Sequence, residues 1–175
     1  MRISPDPVGA AEAYRQLLLA ALGDDDPAEA QVETPARIRA LVTEAGDALR
    51  TAPEPGEWSV LECLGHLTDG ELVVAGRYRW ILAEDEPDIV GYDQALWVDR
   101  LRHREDDVER LLTLFEALRA ANLDLWARLS PADRARVGVH RERGAESLEL
   151  TFRLAAGHDR IHLAQARRAL AAVRG

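Results

Sequence analysis

Apolar residues recur at helical spacing along most of this chain, and short polar or proline-containing segments separate the apolar stretches. Spacings of three and four residues place side chains on one face of a helix, so each stretch is predicted to be an amphipathic helix. The predicted helices cover residues 8–22, 34–50, 59–81 and 102–129, and a last one begins after residue 147.

Three of these helices have recognisable start signals. Ser59 is followed three residues later by Glu62, the spacing of a capping box, in which each side chain binds a backbone N–H of the other residue. Ser147 can cap the last helix. Thr34 before Pro35 indicates another start, because proline suits the first position of a helix.

The connections between the helices differ in length. Residues 23–27 end the first helix, and residues 86–99 form a long connection in which Tyr92 and Trp97 favour order. Residues 137–150, around Gly144, are predicted to form a loop or a weak hairpin. Four substantial helices with two long connections predict an all-α four-helix bundle, and the length fits a single domain over residues 1–175.

Two histidines near the C-terminus, His158 and His162, lie four residues apart within the apolar stripe of the last helix. This spacing stacks their imidazoles on one face, which is the geometry of a two-point metal clamp. No His, Cys, Asp or Glu follows His162, so a third ligand must lie upstream. The best candidate is His66, one turn into the helix that begins at Ser59, and a metal site in the bundle core is predicted.

Several other residues are candidates for roles near this site. Cys63 is a candidate ligand or reactive thiol, and the alternative is a small buried apolar residue. Asp69 or Glu62 can orient a histidine by a hydrogen bond, although Glu62 also serves as a cap. His140 is a candidate for the open metal position, and His103, among charged residues, is predicted to lie at the surface.

Composition narrows the range of functions. A net charge of −9 argues against nucleic acid as a partner, because phosphate binding needs a positive field. No apolar run approaches the ~20 residues of a membrane span, and the N-terminus lacks a signal-peptide core, so a cytoplasmic protein with no membrane partner is expected. All 22 basic residues are arginines, which excludes lysine Schiff-base chemistry.

Three separated motifs resemble one known family. Residues 55–71, PGEWSVLECLGHLTDGE, resemble the signature of DinB/YfiT-like proteins, a Trp-Ser helix start followed by a His-Leu-x-Asp-x-Glu stretch. Residues 139–144 and 156–165 resemble the second half of that family in order and spacing. The resemblance covers roughly residues 8–170.

The resemblance implies a fold, a metal and a cofactor. Family members are four-helix bundles, often homodimeric, with a divalent metal held by three histidines that correspond to His66, His158 and His162. Imidazole suits zinc, nickel, iron and copper, and we expect zinc or nickel, with iron as the alternative. Characterised relatives include S-transferases and isomerases that use mycothiol or bacillithiol, so a low-molecular-weight thiol is a candidate cofactor.

Three function classes follow for a small-molecule substrate. A thiol-dependent S-transferase or isomerase predicts an open metal position beside a pocket with an anion-binding arginine, for which Arg77, Arg79 and Arg100 are candidates. A metal-dependent hydrolase needs a carboxylate within reach of the bound water. A non-catalytic stress-response module with a structural metal predicts a closed site without an adjoining cavity.

Overall fold

The computed structural model describes residues 10–175, and its four longest helices form a bundle. These are α2 (Pro27–Ala45), α3 (Val60–Ala83), α5 (Val108–Ala127) and α7 (Leu148–Arg174), and their apolar faces share one core. A further helix, α1 (Ala11–Leu22), packs along α7. The predicted four-helix bundle is confirmed, and the predicted start of the first helix at Val8 lies outside the described residues.

The start signals of α3 and α7 are confirmed. The Ser59 hydroxyl accepts a hydrogen bond from the Glu62 N–H, and the Glu62 carboxylate accepts one from the Ser59 N–H at 2.8 Å. The Ser147 hydroxyl accepts from the N–H of Leu150 at 3.1 Å. Both helices therefore begin where their caps satisfy backbone groups that have no partner within the helix.

The predicted start of α2 at Thr34 is wrong. The helix begins at Pro27, and the Asp26 side chain caps it by accepting from two backbone N–H groups of the first turn. Thr34 and Pro35 lie inside the helix, and the Thr34 hydroxyl binds a buried carboxylate of α7. The helix ends at Ala45, and a 3-10 turn covers Gly46–Arg50.

The segment between α3 and α5 also differs from the prediction. Residues 86–99 include a short strand and part of a helix, α4 (Gln94–Arg100), whose cap is the Asp93 side chain. A 3-10 turn at His103–Glu105 precedes α5, which begins at Val108 behind an Asp107 cap instead of at Arg102. A brief helix, α6 (Pro131–Arg134), follows α5 and is capped by the side chain of Ser130.

A small sheet covers one end of the bundle. Strands β2 (Val137–His140) and β3 (Gly144–Ser147) form an antiparallel hairpin, which confirms that alternative for this segment. Strand β1 (Asp88–Ile89) pairs parallel to β2 with Ile89 opposite His140, and the sequence did not predict this pairing. The register buries His140 and leaves Val139 exposed.

Helices α1 and α7 touch through their backbones at Gly157. A Cβ atom at this position would collide with the carbonyl oxygen of Leu18. Only glycine therefore allows α1 to lie this close to α7, directly beside His158. Across residues 10–175, none of the helices has the length and apolar character required to cross a membrane.

Candidate metal centre

The imidazoles of His66, His158 and His162 meet inside the bundle, where α3 packs against α7. Nε2 of His66 lies 2.8 Å from Nε2 of His158 and 3.2 Å from Nε2 of His162. One nitrogen from each residue lies within 4.8 Å of the other two. The fold therefore brings together the three histidines selected from the sequence, although 92 and 96 residues separate His66 from the other two.

Neighbouring side chains hold the imidazoles in place. Trp58 packs against His66 and His162, with ring-centroid distances of 5.0 and 5.8 Å. Nδ1 of His162 lies 2.8 Å from Oε1 of Gln165, so the imidazole donates to the amide oxygen and its Nε2 lone pair faces the cluster. Nδ1 of His66 is buried without a hydrogen-bond partner among the described residues.

All three histidines are neutral near pH 7. Burial, followed by the charges of Arg119 and Arg77, lowers the pKa of His158 to about 4. Burial and the other two histidines hold the pKa of His66 well below its ordinary value, and burial with His158 does the same for His162. Neutral imidazoles are the form that binds metal.

The donor set fits a divalent metal ion. Three buried nitrogens point at one another, and a neutral imidazole has only one N–H to share. In His162 that N–H is already engaged by Gln165, which leaves a lone pair directed into the cluster. A cation at this point satisfies the lone pairs, and three imidazoles suit zinc, nickel, iron and copper.

A buried ion-pair network lies beside the cluster. Arg119 binds Oδ2 of Asp159 at 2.5 Å and Oε2 of Glu71 at 2.7 Å. The Asn122 amide donates to the second oxygen of Glu71 at 2.7 Å, and the Thr34 hydroxyl donates to Asp159 at 2.9 Å. Because two carboxylates share one guanidinium, the network has an excess of negative charge that favours a cation nearby.

A cavity of about 90 Å³ adjoins the histidine cluster, and His158 forms part of its wall. Gly70 lies at the same end: a Cβ added there would lie 3.2 Å from Cε1 of His158 and 3.7 Å from the Tyr92 hydroxyl. A molecule in the cavity therefore contacts His158, one of the three histidines of the cluster. The remaining lining includes apolar residues Leu18, Leu67, Val73, Val74 and Leu154 and polar residues Tyr14, Arg77, His140, Glu142 and Arg143.

Comparison with known proteins places this chain in a family. The sequence model of the DinB superfamily matches residues 30–166. The chain belongs to the DinB superfamily. A protein of Oceanobacillus iheyensis named "putative metal-dependent hydrolase" is 31% identical over 118 residues, which are 67% of this chain and 68% of that protein.

A second protein sequence and one solved structure are also similar to this chain. A protein of the same name from Geobacillus thermodenitrificans is 30% identical over 102 residues, covering 58% of this DinB chain and 57% of that protein. The solved structure of Bacillus subtilis YfiT is described as "a probable metal-dependent hydrolase with an unusual four-helix bundle topology". It matches with a TM-score of 0.75 at 22% identity, covering 97% of this chain and 90% of YfiT, and so shows the shared fold.

His140 of this DinB protein lies in the cavity wall. Its Nδ1 lies 2.9 Å from Oε2 of Glu142, and its Nε2 is buried with no hydrogen-bond partner among residues 10–175. Burial, then the charges of Arg143 and Arg77, lowers the pKa of His140 to about 4, so the imidazole is neutral. Nδ1 also accepts a hydrogen bond from the backbone N–H of Glu142 at 3.3 Å, and a neutral imidazole has one proton for its two nitrogens.

The other candidates from the sequence lie apart from the histidine cluster. Cys63 is buried in the apolar core, where burial and then Glu62 raise the pKa of its thiol, and the buried apolar alternative is confirmed. Glu62 caps α3 and binds Arg104. Asp69 accepts from Nε2 of His103 at 2.7 Å instead of orienting a metal-site histidine.

The prediction that His103 lies at the surface is wrong. The residue is 4% exposed, and its Nδ1 lies 2.6 Å from Asp106. It packs against Gly65, where a Cβ atom would collide with the imidazole. Of the three predicted anion-binding arginines, Arg77 lines the cavity, whereas Arg79 binds backbone and Asn122. Arg100 is exposed on α4.

Sequence reasoning missed the ion-pair network and Tyr14. A usable signal existed for the network, because Arg119 and Asn122 fall on the same helical stripe as the buried residues Leu112, Phe115 and Trp126. Asp159 likewise lies within the buried stripe of α7. Charged residues at core positions of a helix are rarely left unpaired, so they indicate partners on the facing helices.

Proposed function

We propose that this DinB protein is a metal-dependent enzyme. It either joins a low-molecular-weight thiol, through its sulfur atom, to a small electrophile, or uses the thiol to isomerise that electrophile. The observation that carries the proposal is the cavity beside the histidine cluster. His158 belongs to both, so a molecule bound in the cavity lies against a residue of the cluster.

The histidines His66, His158 and His162 would hold the metal, with zinc or nickel expected and iron as the alternative. When bound by three neutral imidazoles, a divalent ion keeps its charge and lowers the pKa of a coordinating thiol or water, supplying a nucleophile near neutral pH. The protein itself keeps the imidazoles neutral by burial and fixes His162 through Gln165.

The cavity supports an enzyme over a purely structural metal. A structural site is closed, with four protein ligands and no adjoining space. Among residues 10–175, the cluster that could hold a metal supplies three ligand residues, and a cavity of about 90 Å³ lies against it. Both features favour a site with a position for a substrate or cofactor atom.

The carboxylates that line the cavity favour a thiol as the nucleophile. Glu71 and Asp159 are bound by Arg119, and Glu142 pairs with His140. Each of these three carboxylates is thus already engaged by another side chain. A thiol ionises with a pKa near 8.5, whereas that of water is 15.7, so a thiol needs less help from a protein base.

Hydrolysis is the second candidate, and the presence of His140 in the cavity wall favours it. A hydrolase needs a base to take a proton from water, and His140 is a neutral imidazole in that wall. The name carried by the relatives of Oceanobacillus and Geobacillus, metal-dependent hydrolase, agrees with this candidate.

Turnover measurements separate the two candidates. Protein loaded with zinc or nickel is mixed with 1-chloro-2,4-dinitrobenzene and either cysteine, mycothiol or bacillithiol. In the transfer, sulfur bonds to the aromatic carbon, chloride leaves and the thiol proton passes to solvent. We expect thiol-dependent product above the uncatalysed rate, loss of this activity in His162→Ala, and retention in Arg167→Ala, an exposed position on the same helix.

Ester hydrolysis provides the other arm of the experiment. Hydrolysis of 4-nitrophenyl acetate that needs no thiol and disappears in His140→Gln would establish the second candidate instead. Protein that binds metal but catalyses neither reaction with any of the thiols would contradict the proposal.

We also propose that the protein is a homodimer, as the family resemblance implies. Leu72, Trp80 and Val90 are 53%, 49% and 55% exposed and line one shallow cleft. Contiguous exposed apolar surface commonly marks a protein interface. Sedimentation equilibrium should give twice the mass of the chain, and Trp80→Glu should give a monomer; a wild-type monomer at micromolar concentration would contradict the proposal.

A further inference from the structure

Arg77 is a buried cation in the wall of the cavity, and no acidic group lies within ion-pair distance among the described residues. It is 9% exposed, and its Nη2 donates to the carbonyl oxygen of Val90 at 3.0 Å. Its Nε is buried and has no hydrogen-bond partner in residues 10–175. Burial and the nearby charge of Arg143 lower the pKa of Arg77, although a guanidinium stays charged.

The carboxylates nearest to Arg77 already contact other side chains. Glu146 accepts two hydrogen bonds from Arg143, at 2.5 and 3.0 Å, and lies 3.6 Å from Arg15. Glu142 lies 2.9 Å from Nδ1 of His140. Among residues 10–175, three guanidinium groups thus face two carboxylates at this end of the cavity, and Arg77 is the one that has no acidic partner.

A buried charge without a partner is unfavourable unless another group compensates it. Arg77 lines a cavity, so a molecule bound there can supply the missing negative charge. We propose that the substrate is a small carboxylic acid whose carboxylate binds Arg77 while its reactive carbon lies towards His158. This proposal rests on the proposed function and names its substrate class.

The rest of the cavity wall fits a short apolar chain attached to the carboxylate. Leu18, Val74 and Leu154 supply apolar surface between the two ends of the cavity. Burial raises the pKa of Tyr14 to about 12, so its hydroxyl keeps its proton and can donate to an anion. A volume of about 90 Å³ suits a molecule of a few carbon atoms.

The charge balance favours a carboxylate over a phosphate. One unpaired guanidinium matches one negative charge, whereas a phosphate monoester carries nearly two at neutral pH. The second charge of a phosphate would lie near Glu142, which shares the cavity wall with Arg77. Repulsion between them would weaken binding.

Binding of butyrate and of its neutral analogue butyramide tests the proposal. Calorimetric titration of metal-free and zinc-loaded protein measures the Kd of each ligand, and methyl phosphate provides the phosphate arm. We expect butyrate to bind at least about tenfold more tightly than butyramide, because a hydrogen bond between two charged groups is stronger than one to a neutral amide. Arg77→Gln should abolish this preference, and Arg77→Lys should retain part of it.

The matched control is Arg79→Gln, which removes an arginine two residues away that lies outside the cavity lining. Circular dichroism and zinc content show whether each variant folds. Equal affinity of wild-type protein for butyrate and butyramide would overturn the proposal even if Arg77→Gln fails to fold. A preference that Arg77→Gln retains, or tighter binding of methyl phosphate, would also overturn it.

These outcomes are independent of turnover. Carboxylate binding that depends on Arg77 in protein without thiol-transfer activity would support this inference and contradict the proposed function. Thiol transfer to substrates without a carboxylate, in protein that binds butyrate no more tightly than butyramide, would support the proposed function and contradict this inference.

Discussion

Arg119 donates a hydrogen bond to the carbonyl oxygen of Gln31 at 3.0 Å, and this carbonyl lacks its helical donor because Pro35 lies four residues later. An α-helix pairs each carbonyl with the N–H four residues on, and proline has none. The same guanidinium binds Asp159 and Glu71. One side chain of α5 therefore joins α2, α3 and α7 beside the histidines.

Arg119→Met should be strongly destabilising. The substitution leaves two buried carboxylates and the Gln31 carbonyl without their donor. Breaking a buried ion pair from one side costs about 3–5 kcal/mol of the free energy of unfolding. Urea unfolding measures the loss, with Arg110→Met on the exposed face of the same helix as control. A loss below about 1 kcal/mol would show that the network adds little.

Gln165→Leu should weaken zinc binding by about 10–100-fold without removing a ligand. The Gln165 amide oxygen accepts from Nδ1 of His162 and so directs the Nε2 lone pair into the cluster. Competition with a chelator measures the affinity, with His162→Ala as the fully impaired reference. Unchanged affinity in Gln165→Leu would mean that packing alone orients the imidazole, for instance against Trp58.

The metal-free protein should lose stability in acid. Burial holds His158 and His140 neutral and lowers the pKa of each to about 4, whereas histidines in an unfolded chain have a pKa near 6.5. Below pH 6.5 the unfolded state binds more protons, so the free energy of unfolding falls as the pH decreases towards 4. The slope is up to about 1.4 kcal/mol per pH unit for each such histidine.

Urea unfolding of metal-free protein at pH 7.5, 6.5 and 5.5 measures this effect. His140→Asn should reduce the slope while leaving the three-histidine cluster intact. Saturating zinc should raise stability at each pH, because it binds only the folded state. Equal stability of the metal-free protein at pH 7.5 and 5.5 would contradict the prediction.

His103 should show the opposite pH dependence. Burial opposes its charged form, but hydrogen bonds to Asp69 and Asp106 outweigh burial and raise the pKa of His103 above its ordinary value. Its contribution to stability is therefore complete below pH 6.5 and is lost as the pH rises through the folded-state pKa. The stability difference between wild type and His103→Gln should shrink from pH 6 to pH 9, and a constant difference would refute this account.

Local chemistry explains which helix boundaries were predictable. The start of α3 depends on Ser59 and Glu62, which are three residues apart and satisfy each other's backbone groups. Thr34 and Pro35 carry an equally good local signal, yet they lie inside α2. There, Arg119 supplies the hydrogen bond that the proline removes, and Asp159 binds the threonine hydroxyl. Neither partner can be identified from the sequence around Pro35.

The candidate site was also predictable only where local sequence determines the structure. Helical spacing predicted the pairing of His158 with His162, the lack of ligand residues after His162 pointed upstream to His66, and the family resemblance agreed. The fold brings the three histidines together. That they bind a metal stays a prediction. The burial of His103 and the pairing of β1 with β2 depend on contacts between distant segments, so neither could be read from local pattern.

The backbone contact at Gly157 sets how closely α1 approaches α7 along one side of the cavity. Tyr14 and Leu18 of α1 form one side of the cavity, and His158, the next residue after Gly157, forms another. A homologue with alanine at this position must hold its first helix farther out, which leaves more room between that helix and the ligand-bearing one. The residue type at position 157 therefore sets the separation of these two helices, and glycine keeps the cavity narrow on this side.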